Sequence, residues 1–483
     1  MPYYHGIRVK ENPTNVPVPA RSTGGVLIAI GTAPGGTAKP NEPVLVNTYA
    51  EAAASVGYSD EWDKYTLCQA ISACFLKVGA APIVLINVYD PQKHGKALAE
   101  TEIDVANMQA VLAVKNVILS ELVVKNGADT LAAGTDYFAA LNDEGDTVIT
   151  ILDGSSAAAA TRLKVSGKVS DISGVTAADI IGGLDVSTGE ETGLEAVRKV
   201  YPKLGEVPGL IIAPGWSHIP SVAAALSAKA ESEIGGDFKC MAIVDINSTA
   251  TGAKKYTDVQ AAKAAAGLVS PQVIALWPKV IAAGDAMYYS AYYAAVMIKA
   301  DAENGGIPSY ETGNRPIGIS GLCLDDAENT EILLDHYQAN EVNSYGVVTA
   351  LNLDGFRTWG NSTCCYPGIT DPKDRWIVPR RLFNWERNNL IIKYTNTVDS
   401  PASYRTITAI TDAENVYLNS LAADGHIAGG RVEFNPDENP ISQILDGHLR
   451  FNLYMSPYVP AEDILFVMEF DVSTLEAEFG GGE

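Results

Sequence analysis

Ser217, His218 and Asp245 are the residues whose types come nearest to catalytic chemistry: a nucleophile, a base and a carboxylate. A hydrolase needs a base beside its nucleophile and a carboxylate that orients the base. Adjacent side chains such as those of Ser217 and His218 point in different directions, however. The sequence therefore favours a structural interpretation, in which Ser217 begins a helix near Pro220, His218 is exposed in a loop and Asp245 ends a strand.

A glycine-rich run at 31–37 resembles a phosphate-binding loop after a strand. A nucleotide site of that kind needs a lysine at position 37, whose ammonium reaches the phosphates, but Thr37 stands there. Pro34 also removes one backbone donor. We expect a tight turn here and no nucleotide.

Metal-ligand patterns are weak. The histidines lie far apart, at 5, 94, 218, 336, 426 and 448. The acidic residues Asp325, Asp326, Asp371 and Asp374 lack the spacing and glycine of a calcium loop, so we expect solvated faces there. No two of the six cysteines form a CxxC pair, which predicts free thiols. No active site is visible, and we expect no cofactor, no metal and no enzymatic activity.

The chain has 483 residues, which suggests about three domains. Its 34 basic and 58 acidic side chains give a net charge of −24. Such a surface repels phosphate, which argues against nucleic acid and anionic membranes as partners. No apolar stretch is long enough for a membrane span, and the N-terminus lacks a signal-peptide pattern, so we expect the protein to be made in a cytosol.

The elements that must position these residues follow from hydrophobic periodicity. A buried strand at 26–30, a helix opened by the capping box Thr48–Glu51 and a second buried strand at 83–88 form an α/β unit. Strands and helices alternate again from about 190. The strands are 210–213, 240–246 and 273–276, and the helices are 222–231, 258–266 and 286–299. Such strands predict a mostly parallel sheet covered on both faces.

Two other regions differ in pattern. Residues 95–190 are rich in short strands with turn residues, which predicts an inserted all-β module. Beyond 345 we expect a hairpin around 353–356 and helices near 380–395 and 406–422. Two alternating strands, at 449–455 and 464–472, are predicted to close the chain.

The two ends carry opposite charge. Arg8 and Lys10 alternate with Ile7 and Val9 in the proline-containing N-terminal arm. The C-terminal alternation consists of Ile464, Phe466, Met468, Glu469, Phe470 and Asp471. Opposite charges on paired strands stabilise the pairing, which suggests that the two ends pair by strand addition. Pairing between neighbouring subunits and pairing within one chain are both open.

A basic run at 373–387 is unusual in so acidic a chain. One interpretation is a solvated helix face with Phe383 and Trp385 in the core. The other is a docking surface for an acidic protein partner, in which charge guides register.

The chain resembles the contractile tail sheath proteins of bacteriophages and phage-derived bacteriocin particles over essentially its whole length. The resemblance rests on the order of several segments: 24–34 (GGVLIAIGTAP), 88–91 (VYDP), 211–215 (IIAPG), 355–360 (GFRTWG) and 376–383 (WIVPRRLF).

The resemblance implies an α/β fold: a subtilisin-like, non-proteolytic α/β domain (24–94 and 189–345) with an inserted β-sandwich (95–188). It further implies an α+β C-terminal domain facing a tube (346–463) and extended arms at 1–23 and 464–483.

By the same resemblance the chain polymerises with itself as stacked hexameric rings around a tail tube protein, bounded by baseplate and tail terminator proteins. Contraction would drive the tube through a cell envelope. The expected location is a virion tail or an extracellular particle assembled in bacterial cytoplasm. The candidate tube contacts on the basic helix are Arg380, Arg381, Arg387 and Lys393. The alternatives are a hydrolase-like enzyme and a non-contractile surface or adhesion protein.

Overall fold

The computed structural model describes residues 25–114, 117–142 and 146–480. Its first elements are β1 (Val26–Gly31), β2 (Val44–Val46), α1 (Tyr49–Val56), α2 (Leu67–Ile71), a π-helical continuation of α2 (Ser72–Val78) and β3 (Ile83–Asn87). The predicted start of α1 is confirmed, because the backbone N–H of Glu51 donates to Oγ1 of Thr48 at 3.2 Å. Gly57 ends the helix with a φ of 80°, which glycine adopts readily.

The β-rich segment forms a seven-stranded sheet. Its strands are β4 (Gly95–Ala106), β5 (Gln109–Leu112), β6 (Val123–Asn126), β7 (Asp129–Thr130), β8 (Tyr137–Leu141), β9 (Thr147–Ile151) and β10 (Arg162–Ser170). They pair antiparallel in the order β7-β6-β10-β4-β5-β9-β8. A separate core around Val124, Ile149 and Val165 stabilises this sheet, so the segment has a hydrophobic interior of its own.

The chain then returns to the α/β body. Its elements are α3 (Ala177–Ile181), β11 (Gly183–Leu184), β12 (Glu191–Thr192), α4 (Val200–Leu204), β13 (Pro208–Ile212), α5 (Pro220–Glu231), β14 (Met241–Asp245), α6 (Val259–Ala265), β15 (Val273–Leu276), β16 (Lys279–Ala282), β17 (Asp285–Met287), α7 (Tyr289–Glu303), β18 (Gly321–Cys323), β19 (Glu331–Ile332), α8 (His336–Ser344), β20 (Val347–Asn352) and β21 (Phe356–Trp359).

The body is built on an eight-stranded sheet in the order β2-β3-β1-β13-β14-β15-β20-β21. The six strands from β3 to β20 run parallel, and β2 and β21 are antiparallel edges. Successive side chains of β1 enter opposite cores: Leu27 faces α2 and α7, whereas Ile28 faces α3 and α5. Both faces are therefore covered, as the apolar strands predicted.

The hairpin predicted around 353–356 is confirmed, but it belongs to the body. β20 pairs in parallel with β15 through Ala275–Val347 and Leu276–Val348, and β21 follows it as the sheet edge. A domain boundary at 345 would divide one sheet. That boundary is corrected to a point after Trp359, because backbone pairing holds the hairpin to the body.

The C-terminal elements are α9 (Pro372–Arg375), α10 (Ile377–Tyr394), α11 (Tyr404–Ala423), β22 (Ile427–Glu433), α12 (Ile441–Leu445), β23 (Asn452–Pro457) and α13 (Val472–Gly480). Short 3-10 turns lie at Leu119–Glu121, Ile172–Gly174, Gly193–Lys199, Tyr256–Asp258, Thr395–Thr397 and Pro436–Glu438. A fourth core, around Leu382, Trp385, Leu418 and Ile427, joins α10 and α11 to the β22–β23 hairpin.

All six cysteines lie in the described ranges and are buried free thiols, as predicted. Burial raises the pKa of Cys74 to about 12, which keeps the thiol protonated and unreactive. Among the described helices, none combines the length and apolar character that crossing a bilayer requires.

Candidate subunit-contact surfaces

The group Ser217–His218–Asp245 does not form a catalytic triad. Oγ of Ser217 donates directly to Oδ2 of Asp245 at 2.8 Å, and both side chains are buried. Ser290 also donates to this carboxylate, through its backbone N–H at 2.8 Å and its hydroxyl at 2.5 Å. Burial raises the pKa of Asp245 to about 6, although the bonds from Ser290 and Ser217 oppose the shift. The carboxylate joins β14 to α7 and the loop after β13.

His218 points away from Ser217. Its ring stacks on Tyr288 with 5.4 Å between centroids, and its Nδ1 is buried with no hydrogen-bond partner among the described residues. Burial lowers the pKa of His218. The expectation that His218 is loop-exposed is wrong, because the ring is covered by Tyr288. A triad needs the imidazole between the hydroxyl and the carboxylate, and here the two bond each other directly.

The acidic residues considered for a cation serve local structure. Asp325 accepts from Nζ of Lys279 at 3.1 Å and from the hydroxyl of Tyr288 at 2.5 Å. Asp371 caps α9 by accepting from the backbone N–H of Lys373 at 2.9 Å. Bonds from Thr330 lower the pKa of Asp326. The described residues contain no group of three or more candidate metal ligands.

The basic helix α10 is attached to the body along one face. Asn384 donates to the side chain of Gln272 at 2.6 Å, next to β15. Asn388 bonds the backbone of Lys239 in both directions, at 2.8 and 2.9 Å, next to β14. These polar pairs fix α10 against the amino ends of parallel strands. The helix is therefore anchored to the α/β body.

One of the four predicted tube contacts is inside the protein. Arg381 is 6% exposed and forms an ion pair with Asp301 of α7, which is 7% exposed. Its guanidinium donates from Nη1 to Oδ1 at 3.0 Å, and a second bond joins Nη2 to Oδ2. The prediction for Arg381 is wrong, because a guanidinium buried with its carboxylate has no access to another protein.

The other three predicted contacts are each paired within the subunit. Arg380 donates to Asp374 at 2.9 Å and is 15% exposed. Arg387 pairs with Glu233, and Lys393 lies 2.5 Å from Glu414; both basic side chains are 41% exposed. Arg387 and Lys393 thus remain accessible, whereas Arg380 is largely covered. Their role in tube contact stays a prediction.

The C-terminal segment 458–471 forms no helix or strand. The predicted strand at 464–472 is therefore wrong for the single subunit, because no described segment supplies its backbone partners. Between residues 464 and 470 the apolar side chains, 68–93% exposed, are Ile464, Leu465, Phe466, Val467, Met468 and Phe470. Glu469 is also exposed, and Asp471 caps α13 by accepting from Ser473 at 3.0 Å. A run of this kind is typical of a surface that another chain covers.

The root of this segment is held to the C-terminal part of the subunit by Arg375. The guanidinium carbon of Arg375 lies 3.8 Å from the ring centroid of Trp376 and 4.2 Å from that of Tyr366. The same guanidinium pairs with Glu462. Cation–π contact on two rings fixes the arginine, which in turn fixes where the exposed segment leaves the subunit.

The other predicted arm residues, Ile7, Arg8, Val9 and Lys10, lie outside the described residues. The β22–β23 hairpin is a two-stranded sheet, and neither of its outer edges pairs with another described strand. Unpaired edges of this kind are templates for strand addition. The hairpin was predicted only in part, since β23 was expected and β22 was not.

Sequence reasoning also missed two buried carboxylates, Glu386 on α10 and Glu414 on α11, which are 2% and 1% exposed. The spacing of the apolar residues along α10 already indicated that Glu386 lies on the buried face. Val378, Leu382 and Trp385 mark the inward face, and Glu386 follows Leu382 by four positions. A helical projection would have placed this carboxylate with the core.

The comparisons with known proteins agree with this architecture. The chain is 27% identical over 502 residues to the tail sheath protein of Burkholderia phage BcepMu, covering 99% of both chains. It is 28% identical to a putative prophage major tail sheath protein of Pseudomonas aeruginosa, over 61% of this chain and 72% of that protein. No family model matches.

The fold is similar to that of the sheath in a contracted extracellular contractile injection system, the PVC sheath complex. The TM-score is 0.58 at 14% identity, over 98% of this chain and 99% of that one. In sequence the chain is therefore similar to tail sheath proteins of phages and prophages, and in fold it is similar to a contractile sheath protein. The resemblance to contractile tail sheath proteins predicted from the sequence is confirmed.

Proposed function

We propose that the chain is a structural subunit of a contractile tail sheath. It polymerises as stacked hexameric rings around a tail tube and contracts to drive the tube through a cell envelope. The observation that carries this function is the exposed apolar segment 464–470, which leaves the subunit at the Arg375–Glu462 pair. Fully burying one such side chain contributes about 1.5–3 kcal/mol, so covering the segment in a neighbour favours assembly strongly.

Strand addition joins the subunits in this proposal. The C-terminal residues from Ile464 to Asp471 leave one subunit, and the N-terminal residues Ile7 to Lys10 leave another. Both add to an edge of a β22–β23 hairpin. The unpaired edges of that hairpin and the opposite charges of the two arms support this arrangement.

We infer a domain organisation that the separate cores support. We assign 24–94 and 189–359 to a subtilisin-like body without protease activity, 95–188 to an inserted β-sandwich and 360–463 to a tube-facing domain. Separate hydrophobic cores in the seven-stranded sheet and in the α10–α11 region support these divisions. Residues 1–23 and 464–483 are linking arms.

The tube-facing surface uses the accessible end of α10, with Arg387 and Lys393 exposed on it. The partners are the tail tube, the baseplate and the tail terminator. The protein acts without a cofactor and without catalysis, in a virion tail or an extracellular particle. A lattice that can adopt two packings of rigid subunits, connected by arms, stores the energy of contraction. The attachment of α10 to the body by Asn384 and Asn388 supports rigid movement of the subunit.

Negative-stain electron microscopy of three purified chains tests the function. The full chain and a chain ending at residue 471, which lacks α13 and the three residues after it, are expected to form striated tubes. A chain ending at residue 463 is expected to stay monomeric, because it lacks the exposed apolar segment. Equal melting temperatures of the three chains would show that only assembly has changed.

Two results would overturn the proposal. One is tube formation by the chain ending at 463. The other is the finding that the full chain stays monomeric at high concentration even when tail tube protein is present. Removal of residues 2–12 tests the arm pairing separately: a folded variant that still forms tubes would exclude the N-terminal strand from the linkage.

A further inference from the structure

An apolar groove of about 590 Å³ lies beside the amino ends of the parallel strands β1 and β13, between α4, α10 and α11. Gly25, the first described residue, lies in its wall, so the chain enters the described structure there. The aromatic and aliphatic side chains that line it include Tyr201, Val207, Trp385, Leu390, Ile392 and Tyr417. An aromatic-lined groove of this kind suits an extended, proline-rich peptide.

The groove also contains acidic groups that need a partner. Both carboxylate oxygens of Glu386 and Oε2 of Glu414 are buried with no hydrogen-bond partner among the described residues. The nearest cation, Lys393, pairs with Glu414. Burial, and after it the charge of Glu414, raises the pKa of Glu386 to about 7, and the nearby charge of Lys393 and the side chain of Asn389 oppose this shift only in part. An unpaired buried carboxylate is costly, so a cation brought into the groove is favoured there.

A hydrogen-bond donor in the groove is also free. The indole N–H of Trp385 is buried with no acceptor among the described residues. It could donate to a peptide carbonyl, while Glu386 accepts from a cation or a peptide N–H. The groove therefore offers an aromatic surface, one donor and an acidic end, which is the combination that binds an extended basic peptide.

Residues 13–21, which we call the proline-rich segment, have the matching composition. The sequence is PTNVPVPAR, with Pro13, Pro17 and Pro19 favouring a polyproline II backbone and Arg21 as its one charge. Arg21 precedes Gly25 by four residues, a span of at most about 14 Å, and Gly25 itself lines the groove. The exposed C-terminal segment is a poorer occupant, because Glu469 and Asp471 would meet two buried carboxylates.

We propose that the groove binds the proline-rich segment of the same chain, with its valines against the aromatic side chains and Arg21 beside Glu386 and Glu414. The N-terminal arm is then held at its root, and only residues 1–12 extend from the subunit. The inference concerns the single subunit and does not depend on polymer formation.

Limited trypsin digestion of the full chain, diluted until light scattering shows monomers, tests the docking. Arg8 and Arg21 are both cleavage sites, so one digestion compares the free and the docked part of the arm. In this proposal trypsin can cleave after Arg21 only in molecules whose proline-rich segment has left the groove, whereas Arg8 is always accessible. We therefore expect cleavage after Arg8 to be about ten-fold faster than after Arg21. The double change Val16→Asp with Val18→Asp should remove most of this difference.

The matched control is Ile7→Asp with Val9→Asp, which makes the same change outside the segment and should leave cleavage after Arg21 unaltered. Glu386→Gln, checked for folding by its thermal transition, should speed cleavage after Arg21 because the arginine loses its partner. Equal rates at Arg8 and Arg21 in the native chain, or no response to the valine changes, would overturn the proposal. Protection that grows with protein concentration would also overturn it, since docking within one chain is independent of concentration.

Discussion

Arg381 of α10 and Asp301 of α7 form an ion pair that is buried on both sides, with exposed fractions of 6% and 7%. The pair joins the C-terminal helices to the α/β body. Removing one member leaves the other charge buried alone, so Arg381→Met should lower the free energy of unfolding by about 3–5 kcal/mol. Urea denaturation measures this change.

The matched control is Arg387→Met, which removes an exposed pair with Glu233 on the same helix. Its expected cost is about 0–1 kcal/mol, because water screens the charges. Equal effects of the two substitutions would contradict the assignment of Arg381 to the interior.

Asp245 should make stability depend on pH between about 4 and 6. Its pKa rises from 3.8 to about 6 on folding, so the native state holds the proton more tightly than the unfolded chain. Its contribution to stability therefore falls as pH rises through this window, by about 3 kcal/mol in all. Asp245→Asn removes the titrating group, so native minus variant stability should decline from pH 4 to pH 7. A constant difference would contradict this shift.

The exposed segment should control assembly without affecting the fold of the subunit. Phe466 and Met468 are 84% and 93% exposed, and Phe466→Asp with Met468→Asp should abolish tubes in negative stain. The monomer's free energy of unfolding should change by less than about 0.5 kcal/mol, as for other surface substitutions. Val186→Asp, at a position 91% exposed in the turn between β11 and β12, is the control and should leave tubes intact.

Arg387 should contribute to tube association through charge. Arg387→Glu on α10 is expected to slow co-assembly with tail tube protein by about ten-fold at low salt, with a smaller effect at high salt. Co-sedimentation over time measures this rate. Arg162→Glu, at a residue exposed to 63% on the inserted sheet, should leave the rate unchanged. An equal loss for both variants would indicate a general charge effect instead of a contact on α10.

Replacing Gly209 of β13 even by alanine should destabilise the protein. A Cβ at this position would lie 2.7 Å from Cα of Gly25 and 2.8 Å from its carbonyl carbon, both backbone atoms of the neighbouring chain segment. Gly209→Ala should therefore cost about 1–3 kcal/mol by overpacking, measured by urea denaturation. Gly183→Ala is the control, because a Cβ there meets no atom within 4 Å. A similar effect at both positions would show that contact with Gly25 is not the cause.

Much of the architecture was predictable because it depends on local order in the sequence. Continuous apolar runs such as 26–30 and 273–276 can be buried only in a covered sheet, and Thr48 with Gly57 marks the ends of α1. The hairpin at 353–356 and the helix containing Arg380 were predicted for the same reason. The failures involve partners: the segment 464–472 has strand periodicity, but a strand needs a neighbour that the single subunit does not supply.

The sequence by itself determined the alternation of strands and helices, the β-rich insertion, the resemblance to sheath proteins and the opposite charges of the termini. Only the tertiary structure decided which charged side chains are paired inside the subunit and which are exposed to other proteins. Arg381 is 80 positions from Asp301, and Ser217 is 28 from Asp245, yet both pairs are in direct contact. Glu386 and Glu414, on two different helices, likewise line one groove beside Gly25. Periodicity gives the face of a helix or strand on which a side chain lies. The partner of that side chain depends on how elements distant in the sequence pack together. This packing therefore set the role of each charged residue.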